Sequence, residues 1–365
     1  MVILSCGVSR RRLIYLRSIN SNQVRIQIIH HMKKIGYIVL LFFLLIACNS
    51  TVKNIQEVEP LLPTGDYFGL TASEEARMFA PGIVSQEFQE LNAVFSPDGN
   101  EFYFTIADPA RTFYTIVYYK KNQNGEWEGP ETAPFSGSYS DADPAFSPDG
   151  QRLYFISRRP VDQQSQEPKD FDIWVTQRTA NGWSIPTNLG APINTEVNEF
   201  YVSVTHDESI VYSGNYEGKG FGYGDIYKAR LGADGKYVVE NLGEAINSKN
   251  SEGDPYISPD GNLLIFMSWG REDGLGSGDL YISFKENGQW TPAKNLGSKI
   301  NSDQFEYCPM MSPDGNYFFW TSYRSSPMYS TTPRTYENYI SRLKDVDNGL
   351  GNIYWINASV LKGFK

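Results

Sequence analysis

From residue 78 onward the chain sets short apolar runs between polar turns, and it does so on a long period. A Ser-Pro-Asp-Gly turn stands at 96–99, 147–150, 258–261 and 312–315, with a degenerate copy, Thr205-His206-Asp207-Glu208, in the remaining place. The turn aspartates Asp98, Asp149, Asp207, Asp260 and Asp314 are 51, 58, 53 and 54 residues apart. After each turn comes an aromatic or aliphatic run such as Phe102-Tyr103-Phe104, Leu153-Tyr154-Phe155 or Tyr317-Phe318-Phe319. A further run opens at Asp172-Ile-Trp, Asp225-Ile-Tyr, Asp279-Leu-Tyr or Asn352-Ile-Tyr. Three units close on Gly182-Trp183, Gly235-Lys236-Tyr237 or Gly288-Gln289-Trp290, each followed by Asn-Leu-Gly. Apolar runs of this length, rich in β-branched and aromatic residues and cut by Gly, Pro, Asn and Asp, are strands, and no helical period competes with them.

Four short strands in roughly 53 residues make one blade of a propeller, a sheet that buries its faces only against neighbouring sheets. The pattern therefore predicts an all-β, five-bladed β-propeller of four-stranded blades, with most of the 21 Phe, 24 Tyr and 7 Trp packed between sheets. The last unit opens its third strand at Asn352 and ends 13 residues later, too soon for a fourth. Residues 76–85, whose Phe79-Ala80-Pro81 and Val84-Ser85 match the register of Asn188-Leu189-Gly190 and Ile193-Asn194, are expected to supply that outer strand. The ring is then closed by the N-terminal strand, which removes an open edge.

The region before the repeats changes the picture of charge. The whole chain has net charge −10, but residues 1–47 hold seven basic and no acidic side chains, so the remaining 318 residues carry 25 bases against 42 acids. A net charge of −17 repels phosphate backbones and argues against nucleic-acid binding. His206 is the single histidine after His31, which excludes multi-histidine zinc sites in the ring. Met32-Lys33-Lys34, an apolar run from Ile35 to Ala47, and then Cys48 give the charged, apolar and small-residue segments of an export signal, too short to span a bilayer. Residues 1–31 are expected to be a mis-assigned start, 32–47 the signal peptide, 48–75 a polar tether and 76–365 the propeller. Cys308 would be left without a disulfide partner, and its neighbours Tyr307, Pro309 and Met310 suggest a small buried residue.

Leu45-Ile46-Ala47-Cys48 resembles the lipobox of bacterial lipoproteins, in which the cysteine is acylated; the resemblance implies a membrane anchor at Cys48, and Asn49 after it implies the outer membrane. The repeat itself, Ile-Asn-Ser/Thr, Glu, Ser-Pro-Asp-Gly, aromatic strand, Asp-Ile-Tyr, Trp, Asn-Leu-Gly, resembles the TolB-type, WD-repeat-like propellers of Bacteroidetes-like envelope lipoproteins. Such rings are commonly six-bladed, which stands as the alternative to five. The resemblance implies a periplasmic or cell-surface scaffold whose partner is an envelope protein or a glycan; it implies no single activity.

Candidate chemistry sits on one face. Eight residues before each turn aspartate stands a carboxylate, Glu90, Asp141, Glu199, Glu252 or Glu306, on the crossing from one blade to the next. These five are expected around one mouth of the channel, either stapling the ring through backbone N–H groups of the neighbouring blade or holding a cation, for which hard oxygen ligands suit calcium. Carboxylate-pair hydrolysis of a sugar bond is the third possibility, and the alternative function is a carbohydrate-active hydrolase. No cofactor is otherwise required. The loops 215–224 and 270–278 and the insertion 324–351 reach the same face with Tyr216, Phe221, Tyr223, Trp269, Tyr323, Tyr329, Tyr336 and Tyr339, a candidate binding face for sugars or peptides. The turn aspartates and His206 are explained by the hairpins alone.

Overall fold

Each predicted hairpin turn is built as its residues require. Ser96 Oγ donates to Asp98 Oδ1 at 2.5 Å, and Asn100 N–H donates to the same oxygen at 3.1 Å; Asp149, Asp207, Asp260 and Asp314 repeat the arrangement. Gly99, Gly150, Gly261 and Gly315 close the four intact turns at φ between +69° and +74°, a region open to glycine without steric penalty. In the degenerate turn Glu208 takes φ +61°.

The structure is a computed structural model, and it describes residues 66–162, 169–216, 218, 220–326 and 333–365. They fall in the unit Leu62–Lys365 and form five antiparallel sheets. The first strands are Gln89–Phe95, Asp141–Phe146, Glu199–Val204, Ser251–Ile257 and Glu306–Met311. Each contacts the next, and the fifth contacts the first, so they line a closed central channel. The second strands, Glu101–Ala107, Arg152–Ser157, Ile210–Gly214, Leu263–Trp269 and Tyr317–Ser322, return to the face where the chain crosses between blades. The third strands run outward from them as Tyr114–Lys121, Asp172–Thr179, Asp225–Leu231, Asp279–Glu286 and Asn352–Asn357.

Outer strands complete the first four blades, two of them as split pairs, Gly182–Trp183 with Thr187–Asn188 and Gln289–Trp290 with Lys294–Asn295. The fifth blade takes its outer strand from the other end of the chain. Arg77–Met78 pairs antiparallel with Asn352–Asn357, Arg77 opposite Trp355 and Met78 opposite Tyr354, and Phe79 N–H extends the ladder to Ile353 O at 2.8 Å. The ring is therefore a five-bladed β-propeller closed by its N-terminal strand, as the missing fourth strand demanded.

The tether expected over 48–75 does not run to residue 75. Phe68, in the turn Asp66–Gly69, is fully buried, stacked on Trp127 at 4.5 Å between centroids and edge-on to Phe79, Phe102 and Tyr119. Tyr67 packs against Phe95 and Tyr317. Full burial of the Phe68 ring gains about 1.5–3 kcal/mol, and the half-buried Tyr67 ring adds to the hold on a segment that belongs to no repeat. The signal peptide, Cys48 and the tether to residue 65 lie outside the described residues. Among those described, no helix is long and apolar enough to cross a membrane.

Asparagines lock the crossing to the third strand of the blade it leaves. Asn194 Oδ1 accepts from Ile173 N–H and its Nδ2 donates to Ile173 O, both at 2.9 Å; Asn247 and Asn301 do the same for Ile226 and Leu280. A side-chain amide thus imitates one rung of a β-ladder. Asp172, Asp225 and Asp279 take part in the same lattice, accepting from Asn188, Asn241 and Asn295.

Candidate functional site

The five repeated carboxylates sit at the crossing end of the first strands and are sealed from solvent, each at most 1 % exposed. Glu306 accepts from Ser302 N–H at 2.8 Å, Ser302 Oγ at 2.6 Å and Ser322 Oγ at 2.7 Å, and is paired with Arg324. Glu252 repeats this with Ser248, Ser268 and Arg271, and Asp141 pairs with Arg159 at 2.7 Å. The donors lie on the chain's own crossing, four residues upstream, and at the end of the same blade's second strand and just after it, rather than on the neighbouring blade. Each arginine also donates to the backbone oxygen of the apolar crossing residue: Phe135, Ile246 or Ile300.

The other two blades lack that arginine. Burial pushes the Glu199 and Glu90 carboxyls up to about 8, so both are mostly protonated at neutral pH. In the third blade Tyr216 stands where the arginine would be, donating to Ile193 O at 2.8 Å and bonded to Tyr212 Oη at 2.9 Å. Tyr216, expected on the binding face, is half-buried and ties the crossing instead. The expected open ring of five acids at the mouth is thus five buried carboxylates, one per blade, of which Glu90 has neither oxygen hydrogen-bonded.

The channel is lined by a different set, two residues further along each first strand. Asn92, Asp143, Tyr201, Asp254 and Cys308 have φ of +54°, +54°, +48°, +49° and +50°, and each stands where the register of its strand shifts. A non-glycine residue held left-handed costs about 1 kcal/mol or more, and a β-bulge re-aims its side chain. The backbone here is five-fold repeated; the side chains are not. Tyr201 crosses the channel, its hydroxyl donating to Pro309 O at 2.6 Å. Asp143 Oδ1 lies 3.4 Å from Asn92 Nδ2, and Asp254 Oδ2 accepts from Cys308 N–H at 3.2 Å. Cys308 itself is buried, as its neighbours suggested.

On the crossing side Asp143, Asp254 and Cys308 floor a cavity of about 200 Å³ lined also by Arg111, Tyr114, Phe200, Phe305 and Tyr307. Rings follow one another around its mouth: Tyr114 meets Phe171, which meets Phe200, and Trp269 meets Phe305, which meets Tyr307 and Tyr323. The Arg111 guanidinium lies 5.9 and 5.8 Å from the Tyr307 and Tyr323 ring centres, within cation–π range. Burial raises the carboxyls of Asp143 and Asp254; the charge of Asp254 raises Asp143 further, and Arg111 opposes both.

Of the expected binding face, Trp269 and Tyr323 join this mouth. Phe221 and Tyr223 are exposed on the loop 215–224 and make no ring contact with it among the described residues. Tyr336 and Tyr339 are exposed on the helix Tyr336–Leu343 in the insertion, and Tyr329 lies outside the described residues. Asn92, Asp143, Asp254 and Arg111 were missed. For the first three a signal exists, since they share one register position, and it is the position at which the repeat stops repeating. Arg111 belongs to the second-to-third-strand loop of the first blade, which differs in length and sequence from its counterparts in the other blades. Among the described residues no group of three His, Cys, Asp or Glu side chains could hold a metal ion.

No family profile matches the chain, and no curated protein matches it. Among solved structures it is similar to a glycoside hydrolase at 10 % identity and TM-score 0.49, over 81 % of this chain and 92 % of that one. It is similar to a BT0996 RGII complex at 11 % identity and TM-score 0.47, over 75 % and 95 %. A protein of unknown function from Dyadobacter fermentans gives 15 % identity and TM-score 0.40, over 68 % and 79 %. At such distances these likenesses carry no argument about what the chain does.

Proposed function

We propose that the chain is a TolB-type lipoprotein of the cell envelope, anchored through Cys48 at the outer membrane, whose ring is a scaffold that binds a glycan at the crossing-side mouth of its channel. The observation that carries this reading is the contrast between two sets of acids. Of the carboxylates that recur in every blade, Asp141, Glu199, Glu252 and Glu306 are buried among partners of their own, while Asp143 and Asp254 of the asymmetric set face a cavity under aromatic rings, with Asn92 against Asp143. Architecture repeats with the fold; a ligand site need not. Flat aromatic faces suit the C–H faces of a sugar, and carboxylate and amide oxygens suit its hydroxyls.

Binding to a glycan array by the full chain tests this. Trp269→Ala combined with Phe305→Ala is expected to weaken the best glycan about tenfold or more, or about 1.4 kcal/mol, with melting temperature unchanged. Undiminished binding by that variant would place the ligand elsewhere. Hydrolysis is the second reading, favoured by the unlike surroundings of Asp143 and Asp254, because acid–base work needs two carboxyls whose affinities for a proton differ; reducing ends released in the same assay are its signature. The anchor is checked by acyl labelling, expected to be lost in Cys48→Ala and retained if Cys48 is not the acylated residue. Each acyl methylene that enters the bilayer adds about 0.8 kcal/mol to that attachment.

A further inference from the structure

The charges at the floor of the mouth do not balance. Asp141, Glu252 and Glu306 each have an arginine within 3.3 Å, whereas among the described residues no ion pair reaches Asp143 or Asp254. The nearest cation acting on them, Arg111, is held over the Tyr307 and Tyr323 rings. Once both are ionised, two carboxylates facing one guanidinium leave one negative charge without a counter-charge. Next to Asp143, Asn92 is 1 % exposed and its Oδ1 accepts no hydrogen bond, a buried acceptor left open beside the acids. An unmet acceptor of this kind costs about 1–3 kcal/mol. Asp254 Oδ2 is occupied by Cys308 N–H, and the Cys308 thiol lies 3.7 Å from it. The donors at the floor, Asn92 Nδ2, Cys308 N–H and the Cys308 thiol, are already turned to the two acids, so the floor has acceptors in excess.

We propose that the mouth takes a protonated primary amine carried on a sugar ring, an amino sugar, with the ammonium between Asp143 and Asp254 and beside Asn92. The inference rests on the glycan reading above and names the class of glycan. An ammonium brings the single positive charge that the floor lacks and three donors for the acceptors in excess. A cavity of about 200 Å³, below the roughly 300–1,000 Å³ of pockets for drug-sized ligands, admits one ring rather than a folded chain. Phe200, Phe305 and Tyr307 stand above the acids to cover the faces of that ring. Arg111 marks the side from which the ammonium is kept away, so the amine has one orientation. The net charge of −17 after residue 47 favours a cation over an anion as the ligand.

Calorimetric titration of the full chain at neutral pH with a glucosamine tetrasaccharide, its N-acetylated counterpart and cellotetraose tests the proposal. The glucosamine oligomer is expected to bind about tenfold or more tightly than the other two, and Asp143→Asn combined with Asp254→Asn is expected to abolish the preference. Equal affinity for all three sugars would overturn the ammonium while leaving glycan binding intact. A preference that survives the double variant would place the amine elsewhere and overturn it as well. A lysine-rich peptide that displaces the glucosamine oligomer and binds more tightly would overturn the sugar class. Binding of none of them would overturn this inference together with the reading beneath it.

Discussion

Arg159→Ala is expected to lower the stability of the ring by about 3–5 kcal/mol, because it strands a buried carboxylate. Asp141 is fully buried, and Arg159 is its ion-pair partner at 2.7 Å. The same guanidinium donates to Phe135 O at 2.8 Å and to Ser157 Oγ at 2.8 Å, and lies 4.9 Å from the Phe155 ring centre and 5.3 Å from that of Trp174. The alanine therefore removes packing, a charge and two hydrogen bonds from one blade crossing. At roughly 2–4 °C per kcal/mol for a large domain, the melting temperature should fall by about 10 °C. Arg152→Ala is the control: its pair with Glu208 is half open to water, with Glu208 58 % exposed at the side chain, and its loss should cost about 1 kcal/mol or less. Asp141→Asn added to Arg159→Ala should recover part of the loss by removing the stranded charge. Equal effects of the two arginine substitutions would show that the crossing is not stapled in this way.

That prediction rests on a part of the molecule that was open to sequence reasoning. The turn aspartates set the blade period, the short final unit exposed the missing strand, and the register of Val84 with Ile193 pointed to the segment that replaces it. The five carboxylates were legible as a class for the same reason: a role repeated in every blade leaves a repeated residue. What was not legible follows from the same logic. Tyr67 and Phe68 precede the first repeat, so no register placed them, and their burial appears only when the first and fifth blades meet. Tyr216 looked like a loop aromatic because its counterparts in other blades are the arginines 159, 271 and 324, and only the shared acceptor, the backbone oxygen of the crossing residue, identifies it as their equivalent.

Asp143 and Asp254 were hidden for a further reason. A search for recurring residues passes over a position occupied by Asn, Asp, Tyr, Asp and Cys in turn. The bulge that turns these side chains into the channel has no signature in hydrophobic alternation, because it inserts one residue and shifts the strand after it. Asn and Asp tolerate left-handed backbone, but Tyr201 and Cys308 are poor choices for it on steric grounds. That such residues stand there points to a use for their side chains rather than to backbone convenience.

Residues kept for binding rather than for folding leave a mark on stability that needs no ligand to detect. Both aspartates have carboxyls raised by burial, Asp143 further by its neighbour. A raised carboxyl holds its proton longer in the folded ring than in the unfolded chain, so its contribution is intact below about pH 4, the ordinary carboxylate value. It is then lost as pH rises through the folded-state titration. Facing the pair are Arg111 and Tyr114 from the first blade, Tyr201 from the third, and Tyr307 and Cys308 from the fifth. Arg111 is the one cation among them, and it offsets the two charges in part. Asparagine at both positions removes the ionisation and keeps the shape.

The direct measurement is the melting temperature of the Asp143→Asn, Asp254→Asn double variant against the parent chain at pH 8 and at pH 4, without ligand. If the channel ring is a ligand site carried at the expense of stability, the double variant melts higher at pH 8 by about 2–4 °C or more, a gain of about 1 kcal/mol or above, and the gap closes at pH 4. A double variant that melts lower than the parent at pH 8 would mean that the two aspartates hold the ring together, and the site would then have to be sought elsewhere.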